Sequence, residues 1–237
     1  MFIDGILYGH FHTPLGDSRL GYLAFSKDYG ISWERVGFYD YNDVPTEDSS
    51  PWSAKYTGEK RQSRVGSNFR CMFFINYGMN YELNEDGYVY ALGIGREWGW
   101  NEGIYLARVK RESVLEYDSY EYCVTLKNGQ PFWSQLEKKA QPLEGLNTFG
   151  QFSSIYHPDL DRYLIMNAEN VYDAPNPWGP WTCAGNWVQE GWHGYQPGII
   201  SKFSENNTFW FTISGQPPLG NEVEYALNLG KIIMETN

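Results

Sequence analysis

The stretch GIGREWGWNEG places the carboxylate of Glu97 among groups that commonly hold sugars. Arg96 precedes Glu97, and Trp98 and Trp100 follow it. A carboxylate can act as a general acid or base, a guanidinium forms bidentate hydrogen bonds, and an indole offers a flat stacking surface. Because the stretch follows a predicted strand, we interpret it as a loop that carries a candidate catalytic residue. Solvated loop charges beside packed tryptophans are the alternative interpretation.

Cleavage of a glycosidic bond needs two carboxyl groups roughly 5 to 10 Å apart, so a second acidic residue is required. Asp17 in HTPLGDSRL is either the opposing carboxylate or the cap of the turn before RLGYLAF. Glu169 in NAENVYDAP follows the predicted strand RYLIMNA and is a further catalytic candidate near a strand end. Asp159 and Asp161 in HPDLDRY belong to a predicted hairpin turn, which indicates a structural role.

His10 and His12 form an H-x-H pair, and on a strand this spacing directs both imidazoles to one face. The pair could bind a metal ion if Asp17 or His193 supplied a third ligand. The alternative is a pair of hydrogen-bonding histidines that line a pocket. Because no compact third ligand is visible, we predict no metal site and no cofactor.

The balance of charges argues against two classes of partner. Lysine and arginine together number 18 and aspartate and glutamate 29, which gives a formal net charge of −11. Such a chain repels phosphate backbones and anionic membranes, so we predict neither nucleic acid nor membrane as partner. No apolar stretch approaches the roughly 20 residues of a membrane span, and MFIDGILYGHFH lacks the pattern of a signal peptide. The expectation is a soluble chain, with Cys71, Cys123 and Cys183 as core thiols.

The elements that must position these residues are predicted to be short strands. Aromatic residues make up 18% of the chain and are accompanied by 25 Gly and 12 Pro, a composition typical of strands joined by tight turns. An alternating strand, a turn and a second strand recur in four segments that begin at GILYGHF, GYVYALGI, FSSIYHPDL and PGIISKF. Units of roughly 40 to 65 residues indicate a propeller when helical periodicity is lacking.

We therefore predict one all-β domain over residues 1–237, a β-propeller with about four recognisable blades. Residues 39–68 are polar and are predicted to form a long surface excursion. The ring is either small or lacks an N-terminal blade, and in the second case unpaired strand edges would favour an oligomer.

The segment SKDYGISW resembles the Asp-box, the S-x-D-x-G-x-x-W hairpin of sialidase-type propellers. Ser26, Asp28, Gly30 and Trp33 stand at the positions of that motif. The resemblance implies that Asp28 ties the turn, that Trp33 packs into the blade, and that this hairpin lies away from the substrate. A structural role for Asp28 also agrees with the turn preferences of Asp and Gly.

A second resemblance extends from about Phe69 to Met234. Its pieces include NYGMNYELNEDGYVYALG, SSIYHPDLDRYLI, VYDAPNPWGPWT and HGYQPGIISKF. They are similar to a group of bacterial propeller proteins related to five-bladed glycosidases of the arabinanase and endo-arabinofuranase type. The resemblance implies a carbohydrate-handling propeller of five blades, or a four-to-five-blade portion of one. The chain lacks the R-I-P motif of sialidases and does not show the Asp that such glycosidases carry in their first blade.

The same resemblance implies where substrate is bound. Gln151 stands at the entrance to an inner strand, and the loop EGWHGYQPG, with His193 and Gln196, faces the central cavity in the related group. Packing of Trp192 and Tyr195 between blades is the alternative for that loop. The predicted substrate-binding residues are His10, His12, Tyr77, Arg96, Trp98, Gln151, His193 and Gln196.

Two functions from different classes follow. The first is a glycoside hydrolase acting on a plant or microbial polysaccharide, with Glu97, Asp17 and Glu169 as candidate catalytic residues. The second is a non-catalytic carbohydrate-binding or assembly module. A polysaccharide lyase is a lesser alternative, because His10, His193, Tyr77 and Arg96 supply the residue types that it needs. Two facing carboxylates would favour the hydrolase, whereas one carboxylate among amides and aromatics would favour the binding module.

Overall fold

The protein is an all-β chain, as predicted. The computed structural model describes residues 1–12, 21–36, 68–69, 71–95, 102–147, 150–189, 194–215 and 226–235. Within these ranges the only helical elements are short 3-10 turns. They include Arg111–Ser113, Tyr117–Ser119 and Glu137–Lys139.

The described residues form two compact units. Unit 1 comprises Met1–Phe74, Asp86–Glu97 and Tyr105–Gln141. Unit 2 comprises Ile75–Glu85, Trp98–Ile104 and Pro142–Asn237. Neither unit is a continuous piece of chain, so the boundary between them cannot be a single linker. The prediction of one domain is left untested by this division.

Sheet I of unit 1 is an antiparallel meander in which each strand pairs with the next. A turn at Asp4 and Gly5, both with positive φ, joins its first two strands. The carboxylate of Asp4 accepts two hydrogen bonds of 3.0 Å from the guanidinium of Arg111, which fastens this turn within unit 1. The strands of sheet I are β1 Phe2–Ile3, β2 Ile6–His12, β3 Gly21–Ser26 and β4 Glu34–Arg35.

Sheet II of unit 1 has five strands, again paired in chain order. The residues from Val89 to Ile94 are all buried, so both faces of the second strand are covered. The strands are β5 Cys71–Phe74, β6 Tyr88–Ile94, β7 Tyr105–Lys110, β8 Glu121–Lys127 and β9 Gln130–Ser134.

Unit 2 contains two sheets of the same kind. Sheet III pairs four strands in order, and sheet IV pairs three. The strands of sheet III are β10 Ser153–His157, β11 Arg162–Met166, β12 Asn170–Ala174 and β13 Thr182–Asn186. The strands of sheet IV are β14 Tyr195–Glu205, β15 Thr208–Ser214 and β16 Leu227–Ile233.

Alternation along β15 builds the core of unit 2. Phe209, Phe211 and Ile213 are buried while their neighbours are half-buried, as expected for a strand with one covered face. These three side chains pack against Ile155, Leu164, Met166, Val171 and Trp187. The covered face of sheet IV therefore meets side chains of sheet III and of the segment that follows it.

Each of the four recurring sequence segments forms strands of one sheet, in the same order along the chain. The predicted excursion at 39–68 lies outside the described residues except for its last residue. Cys71 and Cys123 are buried as expected, but the expectation was wrong for Cys183, which is exposed on β13. This strand lies at the edge of sheet III, where most of its side chains face solvent. In the described part of the chain, no helix has the length and apolar character to cross a membrane.

Candidate functional site

The hairpin turn between β3 and β4 uses the carboxylate of Asp28 internally. Its Oδ1 accepts hydrogen bonds from the Ser26 hydroxyl at 2.6 Å and from the Ser32 N–H at 2.9 Å. Ser26 Oγ in turn accepts a bond from the N–H of Gly30, whose φ of +90° favours glycine. Hydrogen bonds from Ser26 and Ser32 lower the pKa of Asp28 to about 2. The carboxylate is thus held ionised as part of the turn.

Trp33 of the same segment packs against its own sheet. Its ring lies edge-on to Phe11 with 5.1 Å between ring centroids, and 39% of the residue remains exposed. A Cβ at Gly9 would lie 3.2 Å from the Trp33 ring, so the absence of a side chain there makes room for the indole. Trp33 therefore covers the surface of sheet I rather than filling a deep core.

His10 and His12 both lie on β2, but the structure describes only the side chain of His10. Its Nδ1 accepts a hydrogen bond of 3.3 Å from the N–H of Met72, which links β2 to β5 within unit 1. This contact gives His10 a structural use in addition to its predicted binding role. The side chain of His12 lies outside the described residues.

Tyr77 belongs to a tyrosine cluster in unit 2. Its hydroxyl donates to the hydroxyl of Tyr163 at 3.2 Å, and its ring stacks on Tyr156 with 5.7 Å between centroids. The Tyr156 hydroxyl donates to Asp161 at 2.8 Å. Burial, followed by this hydrogen bond, raises the pKa of Tyr156 to about 12. With 3% of its surface exposed, Tyr77 is mainly a packing residue, and substrate could reach only a small part of it.

Unit 2 brings three predicted site residues to one end, which we call the amide edge: Gln151, Glu169 and Gln196. Ser153 at the start of β10 pairs with Met166 at the end of β11, so Gln151 and Glu169 lie at the same end of sheet III. At this same end, Ser153 also contacts β14, because its Oγ accepts a hydrogen bond of 3.1 Å from the N–H of Ile199.

The direction of β14 places Gln196 at this end as well. At the far end of β10, His157 Nε2 lies 3.1 Å from the carbonyl oxygen of Thr208, just after β14. Strand β14 therefore runs in the direction of β10, and residues that precede Ile199 lie towards the amide edge. The sequence alone did not show that these three residues share one end.

Gln196 has a positive φ, which is unusual for a glutamine. Its φ is +54°, the side chain is exposed, and the register of β14 against β15 is irregular between Tyr195 and Gly198. Positive φ is uncommon for residues other than Gly, Asn and Asp, and bulges often redirect side chains beside functional sites. The bulge presents Gln196 to solvent at the amide edge.

Glu169 lies in the short connection from β11 to β12, which is closed by Asn167. Asn167 Oδ1 accepts hydrogen bonds from the N–H groups of Glu169 at 3.0 Å and Asn170 at 2.7 Å. The carbonyl of Glu169 accepts a bond of 3.0 Å from the N–H of Trp187. The Glu169 backbone is thus fixed at both its donor and its acceptor, while its side chain is only partly buried.

Several predicted site residues lie outside the described residues, although their places in the chain order are informative. Asp17 falls between β2 and β3, Glu97 between β6 and β7, and Glu169 between β11 and β12. In sheets I, II and III this is the connection between the second and third strands. Of these three residues, only Glu169 is described; the predicted residues outside the described part are Asp17, Glu97, Arg96, Trp98 and His193.

Sequence reasoning missed a cationic side chain that is held between aromatic rings. The guanidinium of Arg108 lies 4.1 Å from the ring centroid of Tyr88 and 4.2 Å from that of Trp133. Its Nε donates to Glu121 at 2.8 Å. The clue available in the sequence was the alternation of aromatic and basic residues in YVY and ARVK, which directs them to one sheet face. Tyr88, Trp133 and Glu121 all belong to sheet II, so these contacts of Arg108 stabilise that sheet.

Within the described ranges, no group of three or more His, Cys, Asp and Glu side chains is arranged to hold a metal ion. The metal interpretation of His10 and His12 depended on Asp17 or His193, both of which lie outside those ranges.

Comparison with known proteins gives one family match. The model of the family described as "Domain of unknown function (DUF4185)" matches residues 9–216, which include all four sheets in whole or in part. No curated protein matches the chain. The match carries no glycosidase assignment and no assignment of the SKDYGISW turn, so both remain predictions.

Proposed function

The chain belongs to the DUF4185 family, and from this premise we propose that it is a carbohydrate-active β-propeller. Its activity in this proposal is hydrolysis of glycosidic bonds in a plant or microbial polysaccharide. The partner is an oligo- or polysaccharide, and the chemistry requires no cofactor.

The proposed propeller has the four sheets as blades. Each sheet pairs its strands in chain order, which is the construction of a propeller blade. Within unit 2, the first strands of successive sheets, β10 and β14, run in the same direction, as the inner strands of neighbouring blades do. The proposal is a five-bladed ring or a four-to-five-blade portion of one.

The observation that carries the catalytic proposal is the shared position of the candidate carboxylates. Asp17, Glu97 and Glu169 each fall in the connection between the second and third strands of a different sheet. In sheets that repeat the same strand directions, these connections lie at the same end of each sheet. A set of acidic residues that recurs there is what a glycosidase needs, because its acid and base come from separate loops.

In the proposed reaction Glu97 protonates the oxygen of the leaving sugar, and Asp17 is the opposing carboxylate. If the two carboxyl groups lie about 5 Å apart, Asp17 attacks the sugar carbon as the leaving sugar departs. Water, deprotonated by Glu97, then cleaves the sugar–Asp17 ester, and the two displacements together retain configuration. If the carboxyl groups lie about 6.5–9.5 Å apart, Asp17 activates a water molecule and configuration is inverted. Arg96 and Trp98 would bind and stack the sugar next to Glu97.

At the amide edge the proposed role is substrate binding. Gln151 and Gln196 provide amide donors and acceptors that suit sugar hydroxyls, and Glu169 adds a carboxylate. The other residues proposed to bind glycan are His193 and Tyr77 of unit 2 and, in unit 1, His10 and His12. One carboxylate among amides is the arrangement that favours a binding module, so this edge supports non-catalytic glycan binding as the second candidate function.

The decisive experiment measures reducing ends released from arabinan, arabinogalactan, pectin and uronate-rich gums by the wild type and by Glu97→Gln. We expect release by the wild type and a rate about 10²- to 10⁴-fold lower for Glu97→Gln, since a general acid contributes that much. Glu112→Gln, which removes an exposed carboxylate from a 3-10 turn, is the control and should leave the rate unchanged.

Other outcomes would redirect the assignment. Ultraviolet absorbance from an unsaturated uronate product would assign a lyase. Binding of a panel glycan by calorimetry without release would support the binding module. Neither release nor binding by the folded protein would overturn the carbohydrate proposal as a whole.

A further inference from the structure

Asn167, which sequence patterns did not single out, lies just after β11. It has no exposed surface and is one of four polar residues found buried in the described ranges, with Ser26, Ser154 and His157. A buried amide destabilises a protein unless its donors and acceptor are bonded. The bonds that compensate for this burial therefore show what the residue does.

Three hydrogen bonds of the Asn167 side chain join two segments of unit 2. Its Oδ1 accepts from the N–H groups of Glu169 and Asn170, which closes the connection from β11 to β12. Its Nδ2 donates to the carbonyl of Asn147 at 3.2 Å, in the segment before β10. The side chain thus ties the Glu169 turn to a second piece of backbone at the amide edge.

The main chain of Asn167 adds two more contacts to the same structure. Its N–H donates to the carbonyl of Asn170, and its carbonyl accepts a bond from the indole N–H of Trp187, both at 3.0 Å. Trp187 is buried in the core of unit 2. The Glu169 turn is therefore anchored to the core as well as to Asn147.

The residue type at this position is specific. An aspartate could accept the two backbone N–H bonds of the turn, and a serine could accept at least one, as both do in many turns. Neither an ionised carboxylate nor a single hydroxyl could also donate to Asn147 while accepting two bonds. Only an amide carries both functions in this geometry.

We infer that Asn167 is a positioning residue that holds the Glu169 carboxylate at the amide edge for contact with glycan. The inference rests on the proposed carbohydrate function and adds a residue that does not itself touch the sugar. Asn167 acts through Glu169, because three of its five hydrogen bonds close the turn from which that side chain projects, and a fourth, from Trp187, anchors the turn to the core. The fifth, to Asn147, sets where the turn lies.

A double-mutant cycle on the full chain tests this inference. The variants are Asn167→Asp, Glu169→Gln and the two combined, and the readouts are kcat/KM and Kd on an arabinan oligosaccharide, or on the panel glycan that wild type binds. We expect Asn167→Asp to weaken kcat/KM or binding by about 10- to 100-fold, because misplacement of a functional group by about 1 Å has effects of this size. In the Glu169→Gln background the same change should have less than about a twofold effect.

The pH profile of Asn167→Asp provides a second readout. Once protonated, the introduced carboxyl can donate to the Asn147 carbonyl and still accept from the turn. Relative to wild type at the same pH, the variant should therefore recover part of its binding as the pH falls. A residue that mattered only for overall stability would give no such recovery.

Asn207→Asp is the matched control. Asn207 Nδ2 donates to the carbonyl of Met234 at 2.8 Å, but this residue lies in the turn after β14, away from the amide edge. The Asn207→Asp variant should lower Tm without changing kcat/KM or Kd. Equal effects of Asn167→Asp with and without Glu169, in a wild type that binds glycan, would overturn the inference alone. Failure of wild type to bind any glycan would overturn the carbohydrate proposal and this inference with it.

Discussion

Asp28 shows how much of a turn a single carboxylate can organise. Its hydrogen bonds from Ser26 and Ser32 favour the ionised form, which is why its pKa falls from the usual 3.8 to about 2. A carboxylate whose pKa is lowered in the folded state stabilises the fold above its unfolded pKa. This contribution is lost as pH falls through the folded value.

We predict that Asp28→Asn lowers Tm at neutral pH and flattens its dependence on acid. Wild type should lose Tm between about pH 4 and pH 2 as Asp28 is protonated, whereas the variant has no such group to titrate. Differential scanning calorimetry across this range measures the difference. Glu112→Gln, with the same change in charge, should follow wild type, and an Asp28→Asn profile parallel to wild type would contradict the prediction.

Asp28 and Asn167 mark what could be predicted for individual side chains. The turn at Asp28 could be predicted because Ser, Asp and Gly stand close together in the sequence. The role of Asn167 could not be predicted, because its side-chain N–H donates to Asn147, twenty residues earlier in the chain. Glu169 and Gln196 were predicted separately, but only the pairing of β10 with β11 and the hydrogen bond between Ser153 and Ile199 of β14 bring them to one end.

The strands themselves were largely predictable from alternation and turn residues. The segment TFWFTIS buries every second residue, Phe209, Phe211 and Ile213, which is the pattern of a strand with one covered face. The number of strands per sheet was harder to predict. The short strand β5, with the sequence CMFF, is a brief apolar run that periodicity cannot distinguish from other buried segments.

Close packing of neighbouring strands makes a testable distinction between two glycines of unit 2. A Cβ at Gly230 on β16 would lie 2.2 Å from the Phe211 ring, whereas a Cβ at Gly185 on β13 would have nothing within 4 Å. We predict that Gly230→Ala lowers the free energy of unfolding by about 1–3 kcal/mol through overpacking. Gly185→Ala should change it by less than about 0.5 kcal/mol.

Urea denaturation of both variants measures the two effects. The slope with urea should stay that of wild type, so that a shift of the midpoint reports stability alone. Equal midpoints for Gly230→Ala and Gly185→Ala would show that Phe211 moves aside at little cost.

The division of the whole chain into interleaved units could not be predicted from local patterns. Unit 2 takes in Ile75–Glu85, which lies between segments of unit 1. Asn76 bonds through its backbone to Ser154 and Tyr156 at 3.0 and 2.8 Å, and Tyr77 stacks on Tyr156. Such contacts join residues far apart in sequence, where alternation and turn preferences carry no information.

This interleaving predicts unequal behaviour of two fragments. Residues 1–141 contain every segment of unit 1, but residues 142–237 lack two segments of unit 2. We predict that 142–237 shows little hydrogen-exchange protection in β10 and β11, because the partners of Ser154, Tyr156 and Tyr163 are missing. Fragment 1–141 should retain more protection in β6 and β7, and strong protection of β10 in the isolated 142–237 would contradict the prediction.

The backbone contact between Asn76 and β10 also has a consequence for synthesis. Translation proceeds at about 5–20 residues per second, so Asn76 leaves the ribosome on the order of several seconds before Ser154 does. All segments of unit 1 have been made by then, since the last of them ends at Gln141. The segment Ile75–Glu85, with Tyr77 and Tyr81, is therefore synthesised before its partner strand β10. The rate of translation between Asp86 and Tyr156 therefore sets how long Tyr77 and Tyr81 can form non-native contacts before β10 is available.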